Sequence, residues 1–427
     1  MYKPVKAVEV RIWGQTVGAV ARDPKLDYYA FEYDPRFVAS GIELAPRAMP
    51  LSAATEPFAF TDLPGPTYRR LPAMLADALP DEFGNNLIDA WLAARGVDKA
   101  SITPLDRLAY MGRRGLGALE FKPVRGPNVH SSTAIQISKL VEHARRAVHG
   151  ELGGDSEAEA ALQQIIRVGT SAGGARAKAA IAWNPTTDEI RAGQFDVDSG
   201  FEHWILKFDG MGKDKELGPS SSYGRIEFAY HRMARRAGIR MSECRLLEEN
   251  SRAHFMTRRF DRAGNQKHHL QTLCALAHLD YRQKATHDYN QYFQMIQDLS
   301  LGPEALEEAF RRIAFNVMAR NCDDHTKNLS FLLPQGGSWQ LAPAYDVSYA
   351  YNPAGEWTYQ HLMSVNGKFK DIARSDLLVV ADRFGIGTAL KLLRSVRDAV
   401  AAWPEFAKEA GLSDADGARI GSNHYLL

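Results

Sequence analysis

Between Arg320 and Ser330 the chain reads RNCDDHTKNLS, and Tyr345-Asp346 follows downstream. Carboxylates, an amide and a lysine so arranged suit phosphoryl transfer. That chemistry needs one carboxylate to orient and deprotonate an attacking hydroxyl, an amide oxygen to hold one metal ion, and a second carboxylate to hold another. The first two are spaced Asp-x-x-x-x-Asn in protein kinases, and Asp323 and Asn328 have that offset. Asp324 lacks it and reads as a loop-ordering or solvated carboxylate. The following LSFLLPQGGSWQLAP has two apolar runs around a Gly-Gly turn, a hairpin pattern that delivers Asp346 at its far end. A surface turn rich in Asp and Asn is the alternative for the whole stretch. Against it, these polar residues lie between two strongly apolar runs, AFNVMA and LSFLL.

Other parts of such a site precede it in the order that kinases use. Lys207 sits inside the β-favouring run WILKF, where it either meets nucleotide phosphates or is a solvated lysine on a half-buried strand. Glu227, early in the next helical pattern, either pairs with that lysine or complements the helix dipole. Upstream, VGTSAGGARAK is a small-residue loop in which backbone N–H groups can approach an anion closely. It matches neither standard Gly-rich phosphate motif, and a plain flexible turn has the same composition. His325 has no second His or Cys at metal spacing nearby and reads as loop-packing or phosphate-adjacent. Lys327 either reaches the transferred phosphate or is solvated.

The elements that must position these groups follow from periodicity. From Val8 to about Phe60, apolar and polar residues alternate between turn signals, including SGIELAPRAMPL, which predicts a small β-rich unit. Helical spacing then runs through DEFGNNLIDAWLAARG, and MGRRGLGALEFKP reads as a Gly-rich turn into a closing strand. A helical, polar region from Ser131 to Arg167 is followed by a small antiparallel sheet over Ala179 to Phe208. A helix over Ile226 to Ala237 stops at Gly238. Beyond Phe260 the pattern is mainly helical, with Pro303 opening a helix that runs through AFRRIAFNVMARN. The expected class is α+β, with a small N-terminal β-rich domain ahead of a two-lobed protein-kinase-like core whose C-terminal lobe is mainly helical. Boundaries are expected at 1–125, 126–262 and 263–427.

At 427 residues two or more domains are expected. The 52 Lys and Arg balance 51 Asp and Glu, so nothing in the overall charge calls for direct nucleic-acid or lipid binding. Cys244, Cys274 and Cys322 have no CxxC spacing and an odd count, which points to a reducing compartment. No run reaches the roughly 18 apolar residues of a membrane span, and the N-terminus lacks a signal-peptide core. A cytoplasmic protein without a membrane partner is expected.

With TSAGGARAK, WILKF, RRFDR, NCDDHTKNLSFL and LAPAYDVS assembled, the sequence resembles the HipA family of serine/threonine kinases, toxins of bacterial toxin–antitoxin pairs. The resemblance covers nearly the full length. It implies that Asp323 is the proton acceptor and that Asn328 and Asp346 bind Mg²⁺. ATP would be met by Gly173, Gly174, Ala175, Arg176, Ala177 and Lys178 of the loop, and by Lys207 and Glu227. Arg258, Arg259 and Phe260 would form a hinge that meets adenine largely through backbone groups, and His325, Lys327 and Tyr345 would complete the site. Ser171 occupies the position of autophosphorylation, which in the family expels the loop and shuts off nucleotide binding. A helix-turn-helix antitoxin of the HipB kind is implied as partner, with DNA reached only through it, and aminoacyl-tRNA synthetases are among the family's protein targets. Departures from the best-known member are Asp324 in place of Gly and GGARAK in place of a loop with an acidic residue before its lysine.

Three functions are compatible with these residues. One is a growth-arresting protein kinase toxin; another is a catalytically weak, nucleotide-binding co-repressor of an antitoxin; the third is a small-molecule kinase. The full set of acid, amide and lysine groups favours the first.

Overall fold

In Ala7–Ile12 (β1), Val8, Val10 and Ile12 are fully buried and the residues between them are not. That period of two is what a strand with one packed face requires. In this computed structural model, which describes residues 2–127, 137–148, 177–210, 213–214, 218–219, 222–250 and 252–427, β1 pairs antiparallel with Gln15–Asp23 (β2) and Leu119–Lys122 (β4). Tyr28–Tyr33 (β3) pairs with β2, giving the order β3-β2-β1-β4. The closing strand expected after the Gly-rich turn is therefore β4. SGIELAPRAMPL does not extend the sheet: residues 40–50 form turns that lead into a 3₁₀ turn at Leu51–Ala53. Pro46 and Pro50 lack the amide donors a ladder needs. Side chains meet the segment's backbone instead, with the Leu51 N–H donating to Glu43 at 3.1 Å and the Tyr33 hydroxyl to the Met49 carbonyl at 3.0 Å.

The described chain divides into two compact units. The first comprises 1–211, 258–271 and 332–338, and the second comprises 212–257, 272–331 and 339–427. Beyond the four-stranded sheet, the first unit holds Glu82–Ala93 (α1), whose N-terminus Asp81 caps by accepting from the Gly84 N–H at 2.7 Å. Pro104–Met111 (α2) starts on a reciprocal capping box between Thr103 and Asp106. A second sheet has the fully buried strand Lys178–Trp183 (β5) between Ile190–Ala192 (β6) and Glu202–Lys207 (β7), all antiparallel. This is the small sheet anticipated over Ala179 to Phe208; β6, three residues long, carries too little pattern to be read from sequence.

The second unit is mainly helical. Tyr223–Arg236 (α3) ends ahead of Gly238, whose φ of +88° turns the chain out of the helix. A hairpin of Cys244–Glu249 (β8) and Arg252–Arg258 (β9) follows. Then come Leu273–Ala277 (α4), Tyr289–Asp298 (α5), Pro303–Met318 (α6), Arg374–Arg383 (α7), Ala389–Ala401 (α8), Trp403–Glu409 (α9) and Asp414–Gly421 (α10). α6 runs through the middle of the core, with Phe310, Ile313, Phe315 and Met318 fully buried beside residues of α3, α5 and α8. Its last carbonyls are met from afar: the Tyr425 N–H donates to Met318 at 2.8 Å and the Tyr230 hydroxyl to Ala319 at 2.6 Å. A helix end satisfied in this way is a fixed platform for whatever follows it.

In the first unit one buried acid ties distant segments together. Asp261 accepts from Arg259 Nε and Nη2 at 2.9 and 2.7 Å, from Arg262 Nη1 at 2.7 Å and from the Gly117 N–H at 2.8 Å. Arg262 also donates to the carbonyls of Gly115 and Gly117. Burial would raise the Asp261 carboxyl, but the two guanidinium groups override it and hold the group well below the usual carboxylate range. A depressed carboxyl contributes stability that is fully present above the unfolded-state value and lost only as pH falls through the lower folded value. Asp261→Ala should therefore lower the unfolding free energy near neutral pH by about 3–5 kcal/mol, because two buried guanidinium groups lose their counter-charge. The check is the urea midpoint at neutral pH, which an idle Asp261 would leave unmoved.

Candidate functional site

The central loop begins where α6 stops. Arg320 has a φ of +55°, which reverses the chain, and the Ala350 N–H donates to the Arg320 carbonyl at 3.1 Å while the Cys322 N–H donates back to Ala350 at 3.0 Å. Residues 322–324 have no regular secondary structure. Cys322 and Asp324 are buried and the Asp323 side chain is 51% exposed, so the three side chains alternate between core and solvent. A 3₁₀ turn, Thr326–Asn328, closes the loop, pinned by the Thr326 hydroxyl donating to the Leu279 carbonyl at 2.7 Å. The Asn328 amide donates to the Asp323 carbonyl at 2.8 Å. With its nitrogen so committed, its oxygen is the atom left to face a cation. His325 Nε2 lies 3.8 Å from Asp323 Oδ1, with its ring packed on Tyr281, and the Lys327 ammonium stands over the same Tyr281 ring.

Tyr345 brings the downstream acid to this loop. Its hydroxyl donates to the Lys327 carbonyl at 2.7 Å and meets the Ser330 hydroxyl, and Asp346 beside it adopts a φ of +52°. Asn328, Tyr345 and Asp346 line one cleft together with Asp324, Asn316 and Arg312. Asp323 is exposed on the same loop and is not among the residues lining the cleft. An amide oxygen and a carboxylate are hard donors, and Mg²⁺ is held by one or two such groups plus water and phosphate oxygens. Among the described residues no three His, Cys, Asp or Glu side chains gather into a cation cage. Asn328 and Asp346 fit a Mg²⁺ shared with a phosphorylated ligand.

Asp324 faces the opposite way from Asp323 and is fully engaged. Its Oδ2 accepts from the Tyr289 hydroxyl and from His361 Nδ1, each at 2.8 Å, and its Oδ1 accepts from the Leu362 N–H at 2.7 Å. The Tyr289 hydroxyl accepts from Asn316, which in turn accepts from Asn321. Burial pushes the His361 imidazole down, but the Asp324 carboxylate overrides it and raises the group to about 10, so a charged imidazolium faces the carboxylate near neutral pH. His361 and Tyr289 carry no signal in the sequence. Asn316 does, as an amide interrupting the apolar run AFNVMA, and Arg312 one turn earlier is buried by bonds to Glu308 and to the Ala342 carbonyl.

The remaining candidates fall as follows. Ser171, Gly173, Gly174, Ala175 and Arg176 lie outside the described residues. Ala177 is buried and its carbonyl accepts from the Phe208 N–H at 3.0 Å. Lys178 opens β5 directly opposite Lys207 of β7; it is buried, with its ammonium 3.6 Å from Asp81, while Lys207 is half-buried. Glu227 is buried on α3 in the second unit. Arg258 pairs with Glu202 at 3.2 Å. The Arg259 guanidinium is committed to Asp261 and its N–H to the His203 carbonyl, and Phe260 is half-buried.

Comparison with known proteins gives a consistent picture. Residues 8–122 match the HipA N-terminal domain, and residues 170–403 match the HipA-like C-terminal domain. No curated protein matches the chain by sequence. Among solved structures, the chain is similar to the Shewanella oneidensis HipA in a complex with HipB and operator DNA, with 18% identity and a TM-score of 0.64 over 97% of this chain and 94% of that one. The Helicobacter pylori proinflammatory kinase CtkA matches at 14% identity and a TM-score of 0.37 over 59% of this chain and 90% of that one, too distant to bear on the fold. The shared fold with the Shewanella protein accords with the α+β class expected from sequence. Since both domain models match in order and the C-terminal one alone spans more than half of the chain, this protein belongs to the HipA family.

Proposed function

We propose that this chain is an ATP-dependent serine/threonine protein kinase that acts as the growth-arresting half of a toxin–antitoxin pair. The reading is supported above all by Asn328 and Asp346 lining one cleft while the Asn328 amide holds the backbone of Asp323. In this mechanism Asp323 accepts the proton of the acceptor hydroxyl as the γ-phosphoryl moves. Mg²⁺ bound by Asn328 and Asp346 supplies neutralisation of the charge that builds on the phosphate oxygens. Lys207 and Lys178 meet the phosphates, with backbone donors from 173–177, and 258–260 receive the adenine. His325, Lys327 and Tyr345 hold the loop and its phosphate side. We assign 1–125 to the N-terminal domain, 126–262 to the N-lobe and 263–427 to the C-lobe; the family match at 8–122 supports the first boundary.

The partner is a small helix-turn-helix antitoxin of the HipB kind, a reading supported by the complex in which the Shewanella relative occurs. The substrate is a protein of the translation machinery, such as an aminoacyl-tRNA synthetase. Autophosphorylation of Ser171 shuts the enzyme off, because a phosphate next to the triphosphate site repels it.

Asp323→Ala should slow transfer of labelled γ-phosphate by about 100-fold or more, the scale of a lost general base, and should abolish growth arrest on expression. Label transfer and arrest that are both indifferent to the change would leave only a nucleotide-binding co-repressor. New phosphoserine or phosphothreonine in one or a few cellular proteins after brief expression is the expected phosphoproteomic result; phosphorylated metabolites alone would point to a small-molecule kinase. For Ser171→Ala, intact-mass spectrometry should show loss of a phosphate adduct with ATP binding retained. An unchanged adduct would move autophosphorylation elsewhere.

A further inference from the structure

Asp323 stands exposed between two buried residues, and both of these neighbours reach the same buried imidazole. Asp324 Oδ2 accepts from His361 Nδ1 at 2.8 Å, and Cys322 Sγ lies 3.9 Å from His361 Nε2. The His361 side chain is 2% exposed and that of Asp324 is 1% exposed. Because the residues on both sides of Asp323 are buried while Asp323 is not, a grip on 322 and 324 limits the direction in which 323 points.

The gripping segment is itself held. Met363–Ser364 runs parallel to His287–Asp288 in register His287 with Met363, and the Ser364 hydroxyl donates to Asp288. Asp288 caps α5, and Tyr289, the first residue of α5, is the other side chain on Asp324 Oδ2. The Leu362 N–H takes the second oxygen of Asp324. Both carboxylate oxygens are thus bound to a frame built from the start of α5 and residues 361–364.

We infer that His361 is a positioning residue for phosphoryl transfer: held between Cys322 and Asp324, it fixes the backbone on both sides of Asp323 and so aims that carboxylate at the acceptor hydroxyl. The inference rests on the kinase reading above. Without His361, Asp324 Oδ2 keeps only the Tyr289 hydroxyl as donor and Cys322 loses its contact, so the loop relaxes by shifting. A shift of about 1 Å in a reacting group costs on the order of 100-fold in rate. Nucleotide affinity is set by other residues and stays.

The test compares Asp323→Ala, His361→Ala and His361→Gln in the full chain. Each is followed by single-turnover transfer of labelled γ-phosphate from Mg-ATP to dephosphorylated casein, at a temperature where circular dichroism shows the variant folded. His361→Ala should slow transfer about 10- to 100-fold at saturating ATP, with the half-saturating ATP concentration moved by less than about twofold. His361→Gln should recover most of the loss, since its amide can still donate to Asp324. A purely structural histidine would lower the unfolding temperature and leave the rate of the folded molecules alone. A wild-type rate in His361→Ala, a loss carried by ATP affinity, or a Gln variant no better than Ala would each overturn the inference. Should His361→Ala not fold, Asp324→Asn reads the same tether from its other end: it keeps the Leu362 bond and drops the charge, so slowed transfer supports the role and a wild-type rate overturns it. Wild-type transfer by Asp323→Ala would instead remove the kinase reading itself; transfer lost there but intact in the His361 variants would remove only the positioning role.

Discussion

An ionised carboxylate withdrawn from water costs several kcal/mol unless its oxygens are met by donors and an opposite charge. Asp324 satisfies that condition with groups 35, 37 and 38 residues away in the chain. The central loop is therefore not a local structure. Its conformation depends on α5 and on residues 361–364 already being in place, so the geometry around Asp323 is a property of the second unit's core. The raised His361 reinforces this. A group whose folded value lies above its unfolded value contributes stability that is fully present below the unfolded value and lost as pH rises through the folded one. For His361 that loss comes near pH 10, so at neutral pH the pair is charged and intact.

The first unit uses the same device. Asp261 is surrounded by Arg259, Arg262 and the Gly117 N–H, which joins the turn after α2 to a segment more than 140 residues later. The Gly-rich run MGRRGLG thereby acquires a physical role: its carbonyls at Gly115 and Gly117 receive Arg262, and Gly117 has a φ of +73° that a side chain would strain. In the structure, the β-rich residues that match the HipA N-terminal domain and the segment 258–271 belong to one compact unit. In both units a buried acid, and not the apolar core alone, decides which remote segments meet.

What could be read from sequence was whatever has a period or a fixed offset. Val8, Val10 and Ile12 announced a strand; Asp323, Asn328 and Asp346 stood out as candidates by spacing and order, and of these Asn328 and Asp346 line one cleft. Two adjacent acids at 323 and 324 gave no sign of which one would be buried, because that is settled by His361 and Tyr289, and neither stands at any characteristic distance. Lys178 likewise gave no sign that Asp81, 97 residues earlier, would lie 3.6 Å from its ammonium. The stretch SGIELAPRAMPL alternates as a strand does and yet forms turns, since two prolines remove ladder donors that no hydropathy pattern records.

Asn328 and Asp346 provide only two oxygen donors, and an octahedral Mg²⁺ must draw the rest from water and phosphate. On the kinase reading the chain thus supplies about a third of the coordination shell, and water and a phosphate-bearing ligand supply the rest. The Asn328 side chain spends its N–H on the Asp323 carbonyl, which joins the residue suited to hold a cation to the residue suited to take a proton by a single hydrogen bond. That bond ties the amide suited to face a cation to the backbone of the proposed base, a link between charge neutralisation and proton acceptance that the kinase reading calls for.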